Sequence, residues 1–393
     1  MDLKFVMSSD SHIIEPYDLW QKALGHKHGD KLPRRVTEAK GVKGDFFFCG
    51  YDYIGIGALG QESAQNTPDS TKPGEHGELP PELAARVLKA NSDPAERLKL
   101  MEMDGVHAEL VQATNFLMGM RIRDTQVVQD CAMVVNDYMA NYCSHDPKRL
   151  LGCGMIPMHD IDWAIGEVQR VRKNGLRAVM INTDLPAKFP PYRKRMYDKF
   201  WAAVTDLDVP IILHLGTGET TDPFALITPE EQEDGPKLFL GIFGDQQYAL
   251  VNEFIFGGIL DRFPKLKLIS GEYECSWFPY WIYRCRQMQG PMGLAMKIPQ
   301  TKHPVDQYVK ENLWISFIED LYFDRSWDIV GEDKIMWGSD YPHPRNTFPN
   351  SREIIRNRMS SAPPRVIAKA AGINCARLFD LEIPMDARAI AAE

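Results

Sequence analysis

The stretch "LKFVMSSDSHIIEP" (residues 3–16) opens the chain with an apolar run that ends in acidic and imidazole side chains. An open, doubly wound sheet that binds nucleotides would carry a glycine-rich turn here, directly after its first strand. This stretch contains no glycine, and it offers Asp10, His12 and Glu15 instead. It therefore favours a closed barrel over the open sheet.

Similar apolar runs recur along the chain, and each is followed by a stretch with helical periodicity. The runs are rich in Val, Ile, Leu and Phe at both alternating positions, which is typical of parallel strands covered on both faces. The predicted strands are 3–9, 108–113, 150–156, 177–181, 210–215, 266–271, 313–318 and 334–339. The clearest helical stretches are 125–143, 160–175, 196–208 and 351–362. Eight strands that alternate with helices predict an α/β fold, a (β/α)8 TIM barrel.

Two long insertions interrupt the alternation of strands and helices. Residues 16–93 separate the first two predicted strands, and residues 217–245 follow the fifth. In a barrel both insertions would leave the C-terminal face, where active sites lie. We therefore expect a single domain over residues 1–393, with the two insertions forming lids or substrate-binding walls.

Composition and charge exclude several classes of protein. The 393 residues are 44% hydrophobic and carry a net charge of -9 with no long basic run, which argues against a nucleic-acid partner. The seven cysteines are scattered and form no C-x-x-C pair, which indicates reduced thiols. No apolar run approaches the roughly 20 residues that span a bilayer, and the N-terminus does not resemble a signal peptide. These features predict a cytoplasmic protein that binds neither nucleic acid nor membranes.

Residues that can ligate metal ions stand at the ends of four predicted strands. Asp10 and His12 are two apart, so they point to the same face of the first strand. His214 ends the fifth strand, Glu272 the sixth and Asp340 the eighth, with His343 just beyond. Alone, each could be a packed core residue or a turn former. Together they predict a site for zinc, manganese or iron(II), which accept imidazole and carboxylate ligands.

Five longer motifs resemble the amidohydrolase-related family that includes aminocarboxymuconate semialdehyde, γ-resorcylate and 5-carboxyvanillate decarboxylases. The resemblance runs from about residue 5 to 382, and as a set the motifs are specific. The motifs are "DSHIIEPYDLW" (10–20), "ILHLGTG" (212–218), "GGILDRFPKLKLISGEYECSWFPYWIYR" (257–284), "IMWGSDYPHP" (335–344) and "AGINCARLFDL" (371–381). The resemblance implies a distorted (β/α)8 barrel with one divalent metal ion at the strand ends.

The resemblance also implies a ligand set. Asp10 and His12 match the family's first motif, an acid or His followed two residues later by His. His214 matches the His of the fifth strand, and Asp340 matches the Asp of the eighth. These four residues are therefore the expected metal ligands.

One departure from the family concerns the sixth strand. The decarboxylases usually carry a His there, whereas this chain has Ser270 in that place and Glu272 two residues later. Glu272 and His343, with Glu15 in reserve, could hold a second metal ion beside the first. That alternative would make the protein a dinuclear iron or manganese–iron enzyme that activates oxygen, such as a hydroxylase. The fourth strand offers no Lys to bridge two metals.

The leading hypothesis is a metal-dependent hydrolase or decarboxylase-like carbon–carbon lyase acting on a small carboxylated or carbonyl substrate. Asp340 would be a ligand and a proton acceptor, while Glu272 and His343 would serve as metal ligands or take part in catalysis. Arg345 could bind a substrate carboxylate or form a loop salt bridge.

A non-catalytic partner subunit is a further alternative for the function of the protein. The expected assembly is a homo-oligomer, or a hetero-oligomer with a related subunit. The identities of the substrate and the metal stay open.

Overall fold

The computed structural model describes residues 3–56, 66–68, 76–220 and 223–392, and it contains a sheet of eight parallel strands. The strands are β1 (Met7–Ile13), β2 (Ala108–Ala113), β3 (Leu150–Ile156), β4 (Ala178–Ile181), β5 (Ile211–His214), β6 (Leu268–Gly271), β7 (Leu313–Phe317) and β8 (Ile335–Trp337). They follow one another around the sheet in chain order. The predicted (β/α)8 barrel is confirmed.

The barrel closes where β1 meets the chain that follows β8. The Asp340 amide donates to the Asp10 carbonyl at 2.8 Å, and the His12 amide donates to the Tyr341 carbonyl at 2.7 Å. At Gly338 a Cβ atom would lie only 2.5 Å from the Cβ of Asp10. Because only glycine allows this approach, Gly338 keeps the two chain segments close enough to bring Asp10 and Asp340 side by side.

The predicted bounds of the first strand are wrong. Residues 3–9 were expected to form it, but β1 begins at Met7 and continues to Ile13, so Asp10 and His12 lie inside the strand. The polar residues stay in the strand because groups on β7 and β8 satisfy them. Ser9, for example, hydrogen-bonds with Ser316 of β7 at 2.8 Å and donates to the Trp337 carbonyl of β8 at 3.0 Å.

Helices cover the outside of the barrel. The helix Ile161–Lys173 begins as predicted at Asp160, whose carboxylate accepts from the amides of Asp162 and Trp163 at 3.0 Å. The helices are Leu19–His28, Pro81–Ala90, Pro94–Asp104, Asn115–Gly119, Thr125–Cys143, Ile161–Lys173, Asp198–Asp206, Pro229–Gln232, Gly235–Ile242, Gly244–Ala249, Ile259–Arg262, Phe278–Gln289, Pro291–Ala295, Val305–Asn312, Trp327–Val330, Ser351–Arg358, Pro364–Ala368, Asn374–Leu378 and Met385–Ala392. Among the described residues, no helix combines the length and the apolar character needed to cross a membrane.

The first insertion contains a small antiparallel sheet that the sequence reasoning did not predict. Its strands are Arg34–Ala39, Val42–Phe48 and Tyr53–Gly55. The first two are joined by Lys40 and Gly41, which have φ values of 51° and 79°. Positive φ at both positions is the geometry of a tight hairpin turn.

The two insertions pack against each other. The Lys40 ammonium lies 2.7 Å from the Glu231 carboxylate and donates to the Ala225 carbonyl at 3.2 Å. Ile227 of the second insertion shares a buried apolar cluster with Phe46 of the first. The polar contacts of Lys40 and the apolar cluster together hold the two insertions against each other.

Candidate metal centre and substrate pocket

Asp10, His12 and His214 meet in the interior of the barrel mouth. All three side chains are fully buried. The Asp10 Oδ1 atom lies 3.1 Å from His12 Nε2 and 3.5 Å from His214 Nε2. Each residue offers one ligand atom, and these atoms lie within 4.8 Å of one another, which is close enough to share a single cation.

A second group of potential ligands overlaps the first at His12. His12, Glu272, Asp340 and His343 also offer ligand atoms within 4.8 Å of one another. Asp340 Oδ1 lies 2.8 Å from His343 Nδ1 and 3.5 Å from His12 Nε2. The rings of His12 and His343 stack with their centroids 4.0 Å apart. The structure therefore brings together the six side chains that the sequence predicts as candidate metal ligands.

Several buried polar atoms of this cluster have no hydrogen-bond partner in the described part of the chain. They include Asp10 Oδ2, His214 Nε2 and Asp340 Oδ2. Leaving such groups buried and unsatisfied costs about 1–3 kcal/mol each, and more when they are charged. A divalent cation would satisfy these atoms together, so the residues present fit a metal ion of the zinc, manganese or iron class.

The electrostatics of the cluster also fit a cation. Burial raises the pKa of Asp340 well above its usual range, and the nearby Asp10 carboxylate raises it further. Burial and Asp340 together raise the pKa of Glu272 to about 8. These shifts arise because three carboxyl groups crowd into a buried space. A bound divalent cation would supply positive charge and reverse the shifts.

The two histidines of the first group differ in their protonation. Burial, with a smaller effect of His343, lowers the pKa of His12 to about 3, so its imidazole is neutral as a metal ligand must be. Burial also lowers the pKa of His214, but the Asp10 carboxylate and Glu272 outweigh it and raise the pKa to about 9. The Asp10 and Glu272 carboxylates thus favour a positive charge at the position of His214.

Local structure aims the ligands into the site. The Nδ1 atom of His214 lies 2.8 Å from the Leu215 carbonyl, which leaves Nε2 facing Asp10. Glu272 and Asp340 have φ values of 63° and 53°, in the left-handed region that residues other than glycine seldom adopt. Such backbone strain is typical of functional sites, because the surrounding structure must hold it in place.

Gln112 of β2 orients Asp10, and the sequence reasoning missed it. Its side-chain amide donates a short hydrogen bond to Asp10 Oδ1, which leaves Asp10 Oδ2 free to face a metal ion. Groups that orient metal ligands in this way typically contribute 10–100-fold to metal affinity.

We therefore expect Gln112→Leu to raise the dissociation constant for the metal by about 10–100-fold. Competition with a chelating dye measures the constant. Gln129→Leu, which changes another buried glutamine outside the site, is the matched control and should leave the affinity unchanged. Equal affinities of wild type and Gln112→Leu would show that Asp10 needs no such support.

Glu15, expected as a ligand in reserve, has a different role. Its buried carboxylate accepts hydrogen bonds from the amides of Thr114, Asn115 and Phe116 at 2.8–3.1 Å. It thereby fixes the loop after β2, and the Thr114 hydroxyl of that loop lies 3.1 Å from His343 Nε2. Glu15 contributes to the position of His343 and lies outside both groups of potential ligands.

Ser270 and Glu272, at the end of β6, have different surroundings. Ser270, which replaces the His of the resembling decarboxylases, donates to Gln246 Oε1 at 2.6 Å and is buried. Glu272 instead lines the pocket and lies 3.6 Å from His214 Nε2. The group at this strand end that can reach a substrate is therefore Glu272.

A cleft with a cavity volume of about 120 Å³, open to solvent, lies next to the ligand cluster. Its apolar side is formed by Leu117, Met118, Phe224 and Ile242, the last two from the second insertion. Its polar side is formed by Thr114, Glu272, Asp340, His343 and Arg345. The cleft has the mixed apolar and polar lining of a small-molecule site.

The cleft divides the six clustered residues into two sets. Asp340, Glu272 and His343 line it, whereas Asp10, His12 and His214 lie beneath it and are fully buried. Arg345 lines the cleft with its side chain half-exposed and forms a 2.5 Å ion pair with Glu274. The predicted loop salt bridge of Arg345 is thus present, and Arg345 is also part of the cleft lining.

A parallel barrel with a cluster of imidazole and carboxylate groups at the C-terminal ends of its strands defines a class of metal-binding barrel enzymes. The model of the Amidohydrolase family matches residues 75–381, and this chain belongs to that family. The resemblance derived from the motifs is thereby confirmed.

Individual relatives and structures agree with this assignment. The chain is 27% identical over 274 residues to a gamma-resorcylate decarboxylase from Polaromonas sp. (strain JS666 / ATCC BAA-500), covering 67% of this chain and 80% of the relative. An amidohydrolase from Mycobacterium avium subsp. paratuberculosis K-10 superposes with a TM-score of 0.70 at 19% identity, over 98% of this chain and all of the other. A dihydroxybenzoic acid decarboxylase from Polaromonas sp. JS666, solved with bound manganese, gives a TM-score of 0.65 at 18% identity, over 97% and 98% of the two chains.

Proposed function

We propose that this protein is a divalent-metal-dependent carbon–carbon lyase that removes the carboxyl group from a small hydroxylated aromatic acid. The observation that carries the proposal is the division of the site. Three ligand-type side chains lie buried beneath the cleft, and Glu272, His343 and Arg345 face into it. A buried metal can then act on a substrate oxygen while the proton-bearing and cationic groups that line the cleft act on the neighbouring carbon and carboxylate.

Asp10, His12, His214 and Asp340 would hold the metal ion, which is zinc, manganese or iron. When bound, the ion supplies a Lewis acid that polarises a substrate oxygen beside the carbon that carries the carboxyl group. Manganese is present in a solved relative, a dihydroxybenzoic acid decarboxylase, and this supports manganese among the three.

The residues that face the cleft would carry out the remaining steps. Glu272 gives a proton to the ring carbon that bears the carboxyl group. As the carbon–carbon bond breaks, its electron pair stays with the ring and carbon dioxide leaves. Arg345, held by Glu274, binds the carboxylate before the bond breaks. Leu117, Met118, Phe224 and Ile242 pack against the ring and exclude water from it.

A lyase is favoured over a hydrolase by the chemistry of the relatives. The curated relatives include gamma-resorcylate decarboxylases and a 2-amino-3-carboxymuconate-6-semialdehyde decarboxylase. Their names describe enzymes that remove carbon dioxide from a substrate. A hydrolase would instead use a metal-bound water, and Glu272 would then accept the proton of that water.

The test is a panel of hydroxybenzoic acids, including 2,6-dihydroxybenzoate and 5-carboxyvanillate, incubated with the manganese-loaded protein in D2O. We expect release of carbon dioxide from at least one acid, with deuterium at the carbon that lost the carboxyl group, detected by NMR. The chelator-treated protein is the control and should be inactive. Cleavage of esters or amides by the same site, with no carbon dioxide from any acid, would contradict the lyase proposal.

The dinuclear oxygen-activating enzyme remains the second candidate because two groups of potential ligands overlap at His12. In that case His343 and Glu272 would bind a second ion. Two metal ions per chain and substrate-dependent oxygen consumption would support this candidate, whereas one ion per chain and no oxygen consumption would support the lyase.

A further inference from the structure

Arg121 is a buried cation that lies outside the site described above. It follows the short helix Asn115–Gly119, and only 7% of its surface is exposed. The described residues that line the substrate cleft do not include Arg121, so it acts on a substrate only through other residues. A guanidinium is always charged, and burying it is costly unless fixed partners satisfy it. The partners of Arg121 therefore indicate its role.

The guanidinium of Arg121 joins two of the segments that form the cleft. Its Nη1 atom donates to the carbonyls of Gly218 and Thr220, both in the second insertion, at 3.1 and 2.8 Å. Its Nη2 atom lies 3.2 Å from the sulfur of Met118, which lines the cleft. Hydrogen bonds from a charged donor are roughly twice as strong as neutral ones. Arg121 thus ties the start of the second insertion to the helix that carries Met118.

The first insertion contacts the same guanidinium. The Cζ atom of Arg121 lies 5.4 Å from the ring centroid of Tyr51, which is within the range of a cation–π contact. Tyr51 follows the strand Val42–Phe48 of the first insertion. Both insertions and the loop after β2 therefore meet at one side chain.

Two carboxyl groups hold the same segment of the second insertion. Asp184 Oδ1 accepts from the Glu219 amide at 2.6 Å, and Asp245 Oδ1 accepts a short hydrogen bond from the Thr220 hydroxyl. At Gly218 a Cβ atom would collide with Asp245 Oδ2 and would lie 2.9 Å from Asp184 Oδ1. Both carboxyl groups therefore pack directly against this glycine, which leaves little room for the segment to move.

Arg121 also balances the charge of these two carboxyl groups. Burial raises the pKa of Asp184 to about 6 and raises the pKa of Asp245 as well, and Arg121 opposes both shifts. A neutral side chain at position 121 would supply neither the positive charge nor the several donors of a guanidinium. The arrangement is therefore specific for arginine.

We propose that Arg121 is a positioning residue that holds the second insertion against the loop after β2 and thereby sets the shape of the substrate cleft. The second insertion contributes Phe224 and Ile242 to the apolar lining, and the loop after β2 contributes Leu117 and Met118. Without Arg121 these two groups of side chains would no longer be held at a fixed separation. A substrate ring would then lose part of its apolar contact.

The kinetic consequence rests on the reaction proposed above, whereas the structural consequence does not. Apolar contacts with the ring are the same in the bound substrate and in the transition state. Their loss therefore raises KM and leaves kcat nearly unchanged. The restraint on the second insertion is independent of the reaction, and it can be measured on the protein alone.

Hydrogen–deuterium exchange of the full-length protein, followed by mass spectrometry, tests the restraint. Arg121→Met keeps a long side chain but removes the charge and all the donors. We expect this variant to raise amide exchange in residues 217–220 and 235–242 by about 10-fold or more. Exchange in β7, in the barrel wall, should stay at the wild-type level.

Arg262→Met is the matched control. Arg262 also donates to two backbone carbonyls, those of Gly257 and Gly258, and it lies outside the cleft lining. This control should leave exchange in the second insertion unchanged. Arg121→Lys keeps the charge but has no planar fork, so its exchange should lie between those of the wild type and Arg121→Met. If Arg121→Met did not fold, Arg121→Lys must itself show raised exchange confined to the second insertion.

Steady-state kinetics with an acid that the wild type decarboxylates provide the second readout. We expect Arg121→Met to raise KM by about 10-fold or more while kcat falls less than about three-fold. Unchanged exchange in the second insertion, or exchange raised equally in β7, would overturn the proposal. So would a large fall in kcat at constant KM. If no acid were decarboxylated, the proposed function would fail, and the exchange measurement alone would decide the role of Arg121.

Discussion

Replacing Asp340 with asparagine is expected to weaken metal binding at least about 100-fold and to reduce kcat/KM by about a thousand-fold or more. Asp340 is buried; its Oδ1 atom pairs with His343, and its Oδ2 atom has no hydrogen-bond partner in the described residues. Asparagine has nearly the same shape but carries no charge and offers only one oxygen. The substitution therefore removes a ligand while it disturbs the packing very little.

Metal content by mass spectrometry and a chelator competition measure this effect. Asp104→Asn is the matched control, because Asp104 is also a buried carboxyl group but accepts its hydrogen bonds from Ser351, away from the cleft. The control should bind metal as the wild type does. If Asp340→Asn retained metal at the wild-type level, Asp340 would have to be removed from the ligand set.

Replacing Glu272 with glutamine is expected to lower kcat by about 100- to 10,000-fold while one metal ion per chain is retained. Glu272 lines the cleft and its side chain is 22% exposed, unlike the fully buried Asp10, His12 and His214. Glutamine preserves the size of the side chain but cannot give a proton to the substrate. The loss should therefore fall on kcat, with a smaller change in KM.

Steady-state kinetics and metal content, measured on the same preparation, check this prediction. Glu253→Gln is the control, since Glu253 pairs with Arg193 away from the cleft and should not affect kcat. Loss of one of two bound ions on Glu272→Gln would instead identify Glu272 as a ligand and support the dinuclear enzyme. Unchanged kcat would exclude Glu272 as the proton donor.

The barrel could be predicted from the sequence because its central strands are covered on both faces. The observed bounds of β2 (Ala108–Ala113) and β3 (Leu150–Ile156) are those that the apolar runs indicate. The bounds of β1 could not be predicted in the same way. Its polar residues resemble a turn, and they stay in the strand only because partners on β7 and after β8 satisfy them.

The hairpin of the first insertion has a sequence signal at its turn. Lys40 and Gly41 lie between two runs of alternating residues, and a glycine in such a pair is typical of a tight hairpin turn. The packing of this hairpin on the second insertion had no such signal. It depends on contacts between residues far apart in sequence, such as that between Lys40 and Glu231.

The convergence of the six site residues was predictable for a geometric reason. The C-terminal ends of parallel strands meet at one face, so polar residues at several strand ends must come together there. Their division between the buried ligand cluster and the cleft was not predictable. It depends on the left-handed backbone at Glu272 and Asp340 and on the orientation of Asp10 by Gln112.

The central claim is that Asp10, His12, His214 and Asp340 bind one divalent ion, and anomalous diffraction tests it most directly. Crystals grown with manganese should give a single strong anomalous peak about 2.0–2.3 Å from a side-chain nitrogen or oxygen of each of these residues. Absence of a peak at the barrel mouth, or a peak out of reach of these four side chains, would contradict the account.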